Sequence, residues 1–161
     1  LRSISMLWPN VEHYIVRADL APTGTVSDLR NFTGTFSLGA RNSGNEFSNK
    51  FMLENFGIDW TQWDQAYQGF APSVDGMING TIAGTIIGAG VGVSTMQRVA
   101  AQMGDGVRLL SITDEELEMM DGGTGLYYRF VIPAGTYPGI DTDTPVIAQP
   151  NFLAVNADVP E

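Results

Sequence analysis

The run V-S-D-L-R-N-F-T-G-T-F-S-L-G-A-R-N-S-G-N-E, from Val26 to Glu46, constrains the fold of this chain more than any other. It leads from a short turn capped by Ser27, over Asp28–Asn31, into a compact strand at Thr35–Leu38. A glycine turn and a polar helix start follow. Ser43 and Glu46 have the spacing of a capping box, in which the hydroxyl accepts from one orphan amide and the carboxylate reaches back to another. Gly39 and Gly44, with the small or polar Ala40, Asn42 and Asn45, leave backbone N–H groups open around that terminus. Open amides at the positive end of a helix dipole suit an anion, so a ligand carboxylate is expected here. The structural alternative is a plain helix start, worth about 1 kcal/mol.

Strand and helix signals alternate along the rest of the chain. Glu12–Ala18, after Trp8-Pro9, is β-branched and aromatic and predicts a strand. The helix from about Asn45 to Asn55 carries an apolar stripe of Phe47, Phe51, Met52 and Phe56, and Gly57 ends it. Gln65–Gln68 is a short strand, and Pro72–Asn79 a helix with Val74, Met77 and Ile78 on one face. A buried strand at Ile82–Ile87 turns through Gly88–Gly92 into a helix at Ser94–Met103. Val107–Ser111 is another strand. Thr113 and Glu116 form a second capping box, opening a helix through Met120 whose Asp114, Glu115 and Glu116 make a solvated face. Tyr127–Ile132 is a strand, Pro133–Thr144 a long turn, and Val146–Val155 one or two strands. The pattern predicts a single α/β domain over residues 1–161, with a mainly parallel sheet of about five strands.

Charge and composition narrow the function. The formal charge is −10, from 18 acids and 8 bases, and no basic run is interleaved with aromatics. Nucleic acid and anionic membranes are therefore excluded as partners. The absence of cysteine removes disulfides, thiolate chemistry and thiolate metal sites, and it suits an oxidising compartment. Gly76, Gly80, Gly84, Gly88 and Gly92 recur every four residues, like a membrane-helix dimer face, but only Ile82–Val93 is densely apolar. That is too short to span a bilayer, so the chain is not membrane-embedded. His13 is the lone histidine, so neither a triad nor a histidine metal cluster can form. Asp141-Thr-Asp143 lacks the glycine and bidentate glutamate of a calcium loop and is taken as a turn. The glycine turns spell no dinucleotide or P-loop fingerprint. No cofactor, no metal and no catalytic residue is expected. Two glycine corners at strand ends suit the lips of a ligand cleft instead.

In this order the segments resemble the TAXI group of solute-binding proteins that serve TRAP transporters. The matching pieces open with Trp8-Pro9 and Glu12-His13-Tyr14-Ile15-Val16-Arg17-Ala18-Asp19. Val26-x-Asp28-Leu29-x-x-Phe32-x-Gly34 and Gly39-x-x-x-Ser43-Gly44-x-Glu46 come next, followed by Gly69-Phe70-Ala71, Asn79-Gly80-x-Ile82 and Val107-Arg108-Leu109-Leu110-Ser111. Ile132-Pro133-Ala134-Gly135-Thr136-Tyr137-Pro138-Gly139 and the closing Val155-Asn156-Ala157-Asp158-Val159-Pro160-Glu161 complete the set.

The resemblance implies a three-layer α/β/α lobe of a type II periplasmic-binding-protein fold, the second lobe plus crossover strands of a longer two-lobed protein. Both ends read as cut: Leu1-Arg2-Ser3-Ile4 has no leader pattern, and the chain stops just after a strand. It further implies a periplasmic or otherwise extracytoplasmic receptor that delivers a small organic anion, a carboxylate or amino-acid-like solute, to a TRAP-type permease. By position, Ser43, Gly44 and Asn45 match the family's loop-to-helix ligand contact, where threonine is commoner than Asn45. Gly88, Ala89 and Gly90 match the second cleft loop, and Tyr137 belongs to a family motif. Arg41 is added on chemistry: its guanidinium either pairs a solute carboxylate bidentately or lies solvated on the surface. The family usually has an acid where Ala83 stands and a proline where Gly92 stands, so its ligand identity is not carried over. The alternatives are a sensory or regulatory ligand-binding domain, a lobe of a related pyrimidine-synthesis-like enzyme, and an interaction domain docking through the acidic helix.

Overall fold

The structure, a computed structural model, describes residues 1–159; Pro160 and Glu161, which end the last matching motif, lie outside the described residues. Strand β1 (Arg2–Arg17) comes first and lies in the middle of the sheet. β2 (Thr35–Ser37), α1 (Gly44–Asn55), β3 (Asp64–Ala66), α2 (Phe70–Ile78) and β4 (Gly84–Ala89) follow. Then come α3 (Ser94–Met103), β5 (Val107–Leu109), α4 (Asp114–Asp121), β6 (Tyr128–Ile132) and β7 (Thr144–Val155).

The expected mainly parallel sheet of about five strands is corrected. The sheet has seven strands in the order β3-β2-β4-β1-β7-β6, with β5 paired to β1 beyond the end of β7. Among the described residues only β2–β3 and β2–β4 are parallel ladders, the first pair joined through α1 and the second through α1, β3 and α2. β1 enters between β4 on one edge and β7 and β5 on the other, and runs against all three; β6 runs against β7. Strand runs separated by helices suggest parallel neighbours. A leading strand inserted into the centre of the sheet breaks that rule, and its own sequence carries no sign of direction.

Helices cover both faces, giving three layers. β1 alternates between them from Val11 to Val16, all buried. Tyr14 and Val16 join Phe36, Leu38, Ile86, Met52 and Leu53 of α1 and Met120 of α4 in one core. Val11 and Ile15 join Ile87, Val74 and Met77 of α2 and Met96 and Val99 of α3 in the other. The four-residue glycine period spreads over α2, a turn, β4 and a loop, and among the described residues no helix is long and apolar enough to cross a membrane.

Two local expectations also change. Thr25, not Ser27, occupies the cap position before the 3-10 turn Val26–Asn31, and it makes no side-chain cap bond. The Ser27 hydroxyl donates instead to Glu116 Oε1 at the start of α4 (2.5 Å). In α1 the buried face is Glu46, Asn49, Met52 and Leu53, while Phe47 and Phe51 are 63% and 38% exposed. Asn49 rotates the helix: its amide donates to the Leu38 carbonyl at the end of β2 (2.9 Å) and locks a polar residue into the interior. Hydrophobic periodicity cannot register an anchor of that kind.

Candidate functional site

The first lip is the turn between β2 and α1. Gly39 has φ +113, and a side chain there would meet Asn45 Cβ and the Glu46 nitrogen at 3.2 Å, so the turn needs a glycine. Ser43 Oγ accepts from the Glu46 N–H (3.2 Å). The returning half of the expected capping box is shifted by one residue, because Glu46 Oε2 takes the Asn42 N–H (2.5 Å) while Ser43's own N–H goes to the Ala40 carbonyl (3.1 Å). The amides of Gly44 and Asn45, first in α1, have no intrahelical acceptor by position. Lys50 donates to Glu46 Oε1 (2.6 Å), and this bond leads in holding the Glu46 carboxyl below its usual range against the opposing effect of burial. Arg41 is exposed, with its guanidinium carbon 3.9 Å from the centre of the Tyr67 ring.

The second lip is the end of β4. Gly88 pairs with Glu12 and Ala89 with Val11, and the half-buried Gly88, Ala89 and Gly90 lead into the loop before α3. A Cβ on Gly88 would stand 2.7 Å from Asn45 Oδ1 and 2.8 and 2.9 Å from the two Glu12 carboxyl oxygens. The helix start and the glycine corner therefore meet through Asn45 and Gly88. A cleft of about 290 Å³ opens on Ser43, Asn45 and Phe70, and another of about 300 Å³ on Gly44, Asn45, Gly88 and Gln149. The larger concavity, about 430 Å³, lies at the opposite end of β2 and β3, around Gly34 and Asp64. None of its lining residues holds an unpartnered buried polar atom. The chemistry favours the smaller pair.

Tyr137 lies beneath this site rather than in it. Only 1% exposed, its hydroxyl accepts the Gly92 N–H (2.9 Å) and bonds His13 Nε2 (2.8 Å). His13 Nδ1 is 2.9 Å from the Ile87 carbonyl, which only accepts, so Nδ1 carries the proton and Nε2 accepts from Tyr137. Burial lowers the His13 pKa and keeps the ring neutral. This chain of bonds ties β1, β4 and the Pro133–Thr144 turn to the second loop. Tyr137→Phe leaves the imidazole nitrogen and the Gly92 amide unpaired, and is expected to cost about 2 kcal/mol. Urea unfolding checks this; a loss below about 0.5 kcal/mol would show that other groups or water replace the hydroxyl.

Asp143 serves the same long turn, accepting the Ala134 N–H (2.9 Å). Among the described residues no three His, Asp or Glu side chains stand close enough to hold a metal ion. The expected residues Ser43, Gly44, Asn45 and Gly88 are brought together, with Ala89 and Gly90 continuing the second lip, Arg41 outside on Tyr67 and Tyr137 below. Sequence reasoning missed Glu12, Asn10 and Gln149. Glu12 is fully buried; its Oε1 accepts from Gln149 Nε2 (2.9 Å) and Asn10 Nδ2 (3.2 Å). An acid in the same strand run as Val11, Tyr14, Ile15 and Val16 was the available signal.

A crystal structure without ligand, that of a TctC solute binding protein from Polaromonas, matches the chain with a TM-score of 0.53 at 16% sequence identity. The match covers 98% of this chain and 50% of that one, so the chain spans half the length of the protein it resembles. At that identity the likeness speaks for the fold alone. No curated protein matches the chain. The model of the NMT1-like family matches residues 1–161 from end to end, and the chain belongs to that family.

Proposed function

We propose that the chain is the ligand-binding lobe of an extracytoplasmic solute receptor that captures a small carboxylate-bearing solute for a membrane permease. One observation carries the reading: the amide-rich start of α1 and the glycine corner after β4 close on each other at Asn45 and Gly88, beside an open cleft. Backbone donors at a helix start give an anion fixed hydrogen bonds without a competing side chain. Ser43, Gly44 and Asn45 contact the solute from one lip, and Gly88, Ala89 and Gly90 from the other. Arg41 steers the anion from the rim. The family and the likeness to half of a solute-binding protein support a receptor over an enzyme. The order of the motifs favours the TAXI group and a TRAP-type permease as the finer identity.

The other half of the cleft belongs to a second lobe. The early part of β1 pairs with the end of β7, forming a ribbon that exposes Ile4, Met6, Trp8, Phe152 and Leu153. Apolar side chains of this size along a two-stranded ribbon suit a connection that a second lobe covers. Calorimetric titration of the intact two-lobed protein with small mono- and dicarboxylates is expected to give micromolar binding, about −8 kcal/mol. This chain alone, with one side of the cleft, is expected to bind no tighter than about millimolar. Absence of heat with every carboxylate in the intact protein would overturn the reading.

A further inference from the structure

Two hydrogen-bond acceptors converge on Gly88 from β1 and α1. Glu12 has no exposed surface; its Oε1 accepts from Gln149 (2.9 Å) and Asn10 (3.2 Å), and its Oε2 has no partner. Asn45 approaches the same place with its oxygen. A Cβ on Gly88 would lie 2.7 Å from Asn45 Oδ1 and 2.8 Å from Glu12 Oε2. Asn45 Nδ2 is buried and unpartnered. Buried polar atoms without partners are uncommon, because each forgoes a bond it would make in water. An ionised carboxylate only accepts, so beside one the amide gains a bond by turning Nδ2 toward it. An amide that keeps its oxygen there suits a donor, and the carboxyl supplies one only when Oε2 carries a proton. Two bare acceptors would repel.

We propose that Glu12 is a positioning residue: its Oε2 holds a proton and donates it to Asn45 Oδ1, joining β1 to the start of α1 in the form of the protein that takes up the anion. The proposal rests on the receptor reading and adds the regulation of that site. Glu12 itself lines neither cleft, whereas Asn45 lines both, so the proton acts on the solute through Asn45. Loss of the proton to water has two consequences. A negative charge appears beneath the amides of Gly44 and Asn45, and the Asn45 amide turns to give Nδ2 to the carboxylate, its oxygen away. Both oppose an anion at the helix start. Proton and solute therefore favour each other's binding, by the same factor in each direction. The groups around the carboxyl do not compete with it near neutral pH. Burial raises the pKa of Tyr14 on β1 and of Tyr127 before β6, which keeps both neutral. His13 points to the opposite face of β1 and is also held neutral by burial. β4 and β7 present Gly88 and Gln149, and on α1 Glu46 and Lys50 pair with each other (2.6 Å). Burial raises the Glu12 pKa to about 7, against the lowering effect of Gln149 and Asn10, so the proton exchanges near neutral pH.

The test is calorimetric titration of the intact two-lobed protein with acetate, propionate, succinate and glutarate between about pH 6 and pH 9, in buffers of different ionisation enthalpy. Affinity for the acids that bind is expected to fall about tenfold or more across that range, with a proton taken up from the buffer as each solute binds near neutral pH. Glu12→Gln keeps the acceptor for Asn10 and Gln149, and its Nε2 donates to Asn45 Oδ1 at every pH. It is expected to hold the wild-type pH 6 affinity throughout and to take up no proton. The acids' own titration is common to both proteins and cancels between them. A second measurement needs no solute: the labelled Glu12 carboxyl carbon and the Asn45 side-chain amide are expected to shift together in NMR spectra, with one midpoint near neutral pH. Identical pH profiles of binding in the two proteins, or an Asn45 amide that ignores the titration of Glu12, overturn this proposal and leave the receptor reading standing. Failure of every acid to bind at any pH overturns the receptor reading and the pH regulation with it, while the NMR shifts still decide whether Glu12 donates to Asn45.

Discussion

Glu12→Gln will be more stable than the unaltered protein at pH 8, by about 3 kcal/mol, and nearly equal to it at pH 4.5. The cause is burial, which raises the folded-state pKa from 4.5 to about 7 against the opposing bonds from Gln149 and Asn10. Between those values the native state binds more protons than the unfolded chain. Its stability therefore falls as pH rises through that window and levels off above it. Glu46 acts in the opposite sense. Its carboxyl is held low, chiefly by Lys50, so the stability it contributes is lost as pH falls. Glutamine keeps the size of the side chain and the acceptor for Asn10 and Gln149 but never ionises. Denaturant unfolding of both proteins from pH 4.5 to pH 8.5 checks this, and a wild-type profile that does not decline between pH 5 and pH 7 would remove the argument.

Phe36→Ala will destabilise the protein by about 3–5 kcal/mol. Phe36 is fully buried on β2, edge-on to Phe32 with ring centres 5.2 Å apart and tilted against Trp63 at 4.7 Å. Its ring also fills the space above Gly84, where a Cβ would stand 2.7 Å from Phe36 Cε2. β2 joins β3 to β4 and carries the turn that starts α1, so a void here loosens the first lip as well as the core. The midpoint of thermal unfolding is expected to fall by about 10 °C for a chain of this length. A loss within 1 kcal/mol of zero would mean that Phe32 and Trp63 collapse into the void.

How much could be read in advance depended on the range of the interaction responsible. α3 occupies Ser94–Met103 as its flanking glycines imply, and α4 begins at the Thr113–Glu116 capping box with both reciprocal bonds made. Those signals lie within a turn of the feature that they specify. β1 was legible only from Glu12 onward, where the side chains through Val16 are buried. Its first half stands in an exposed ribbon whose pairing depends on β7, at the far end of the chain. Tyr137 stood out in its motif, yet its work is a bond to a histidine 124 residues away.

By itself the sequence determined the α/β class, the limits of most helices, the two glycine corners and an amide-rich helix start, because caps, turns and periodicity act between near neighbours in the chain. Only the tertiary structure decided that β1 enters the sheet antiparallel, that Asn49 rather than Phe47 faces the interior, and that Glu12 meets Asn45 across Gly88. Those outcomes come from burial and from hydrogen bonds between distant segments, whose partners are chosen only when the sheet closes.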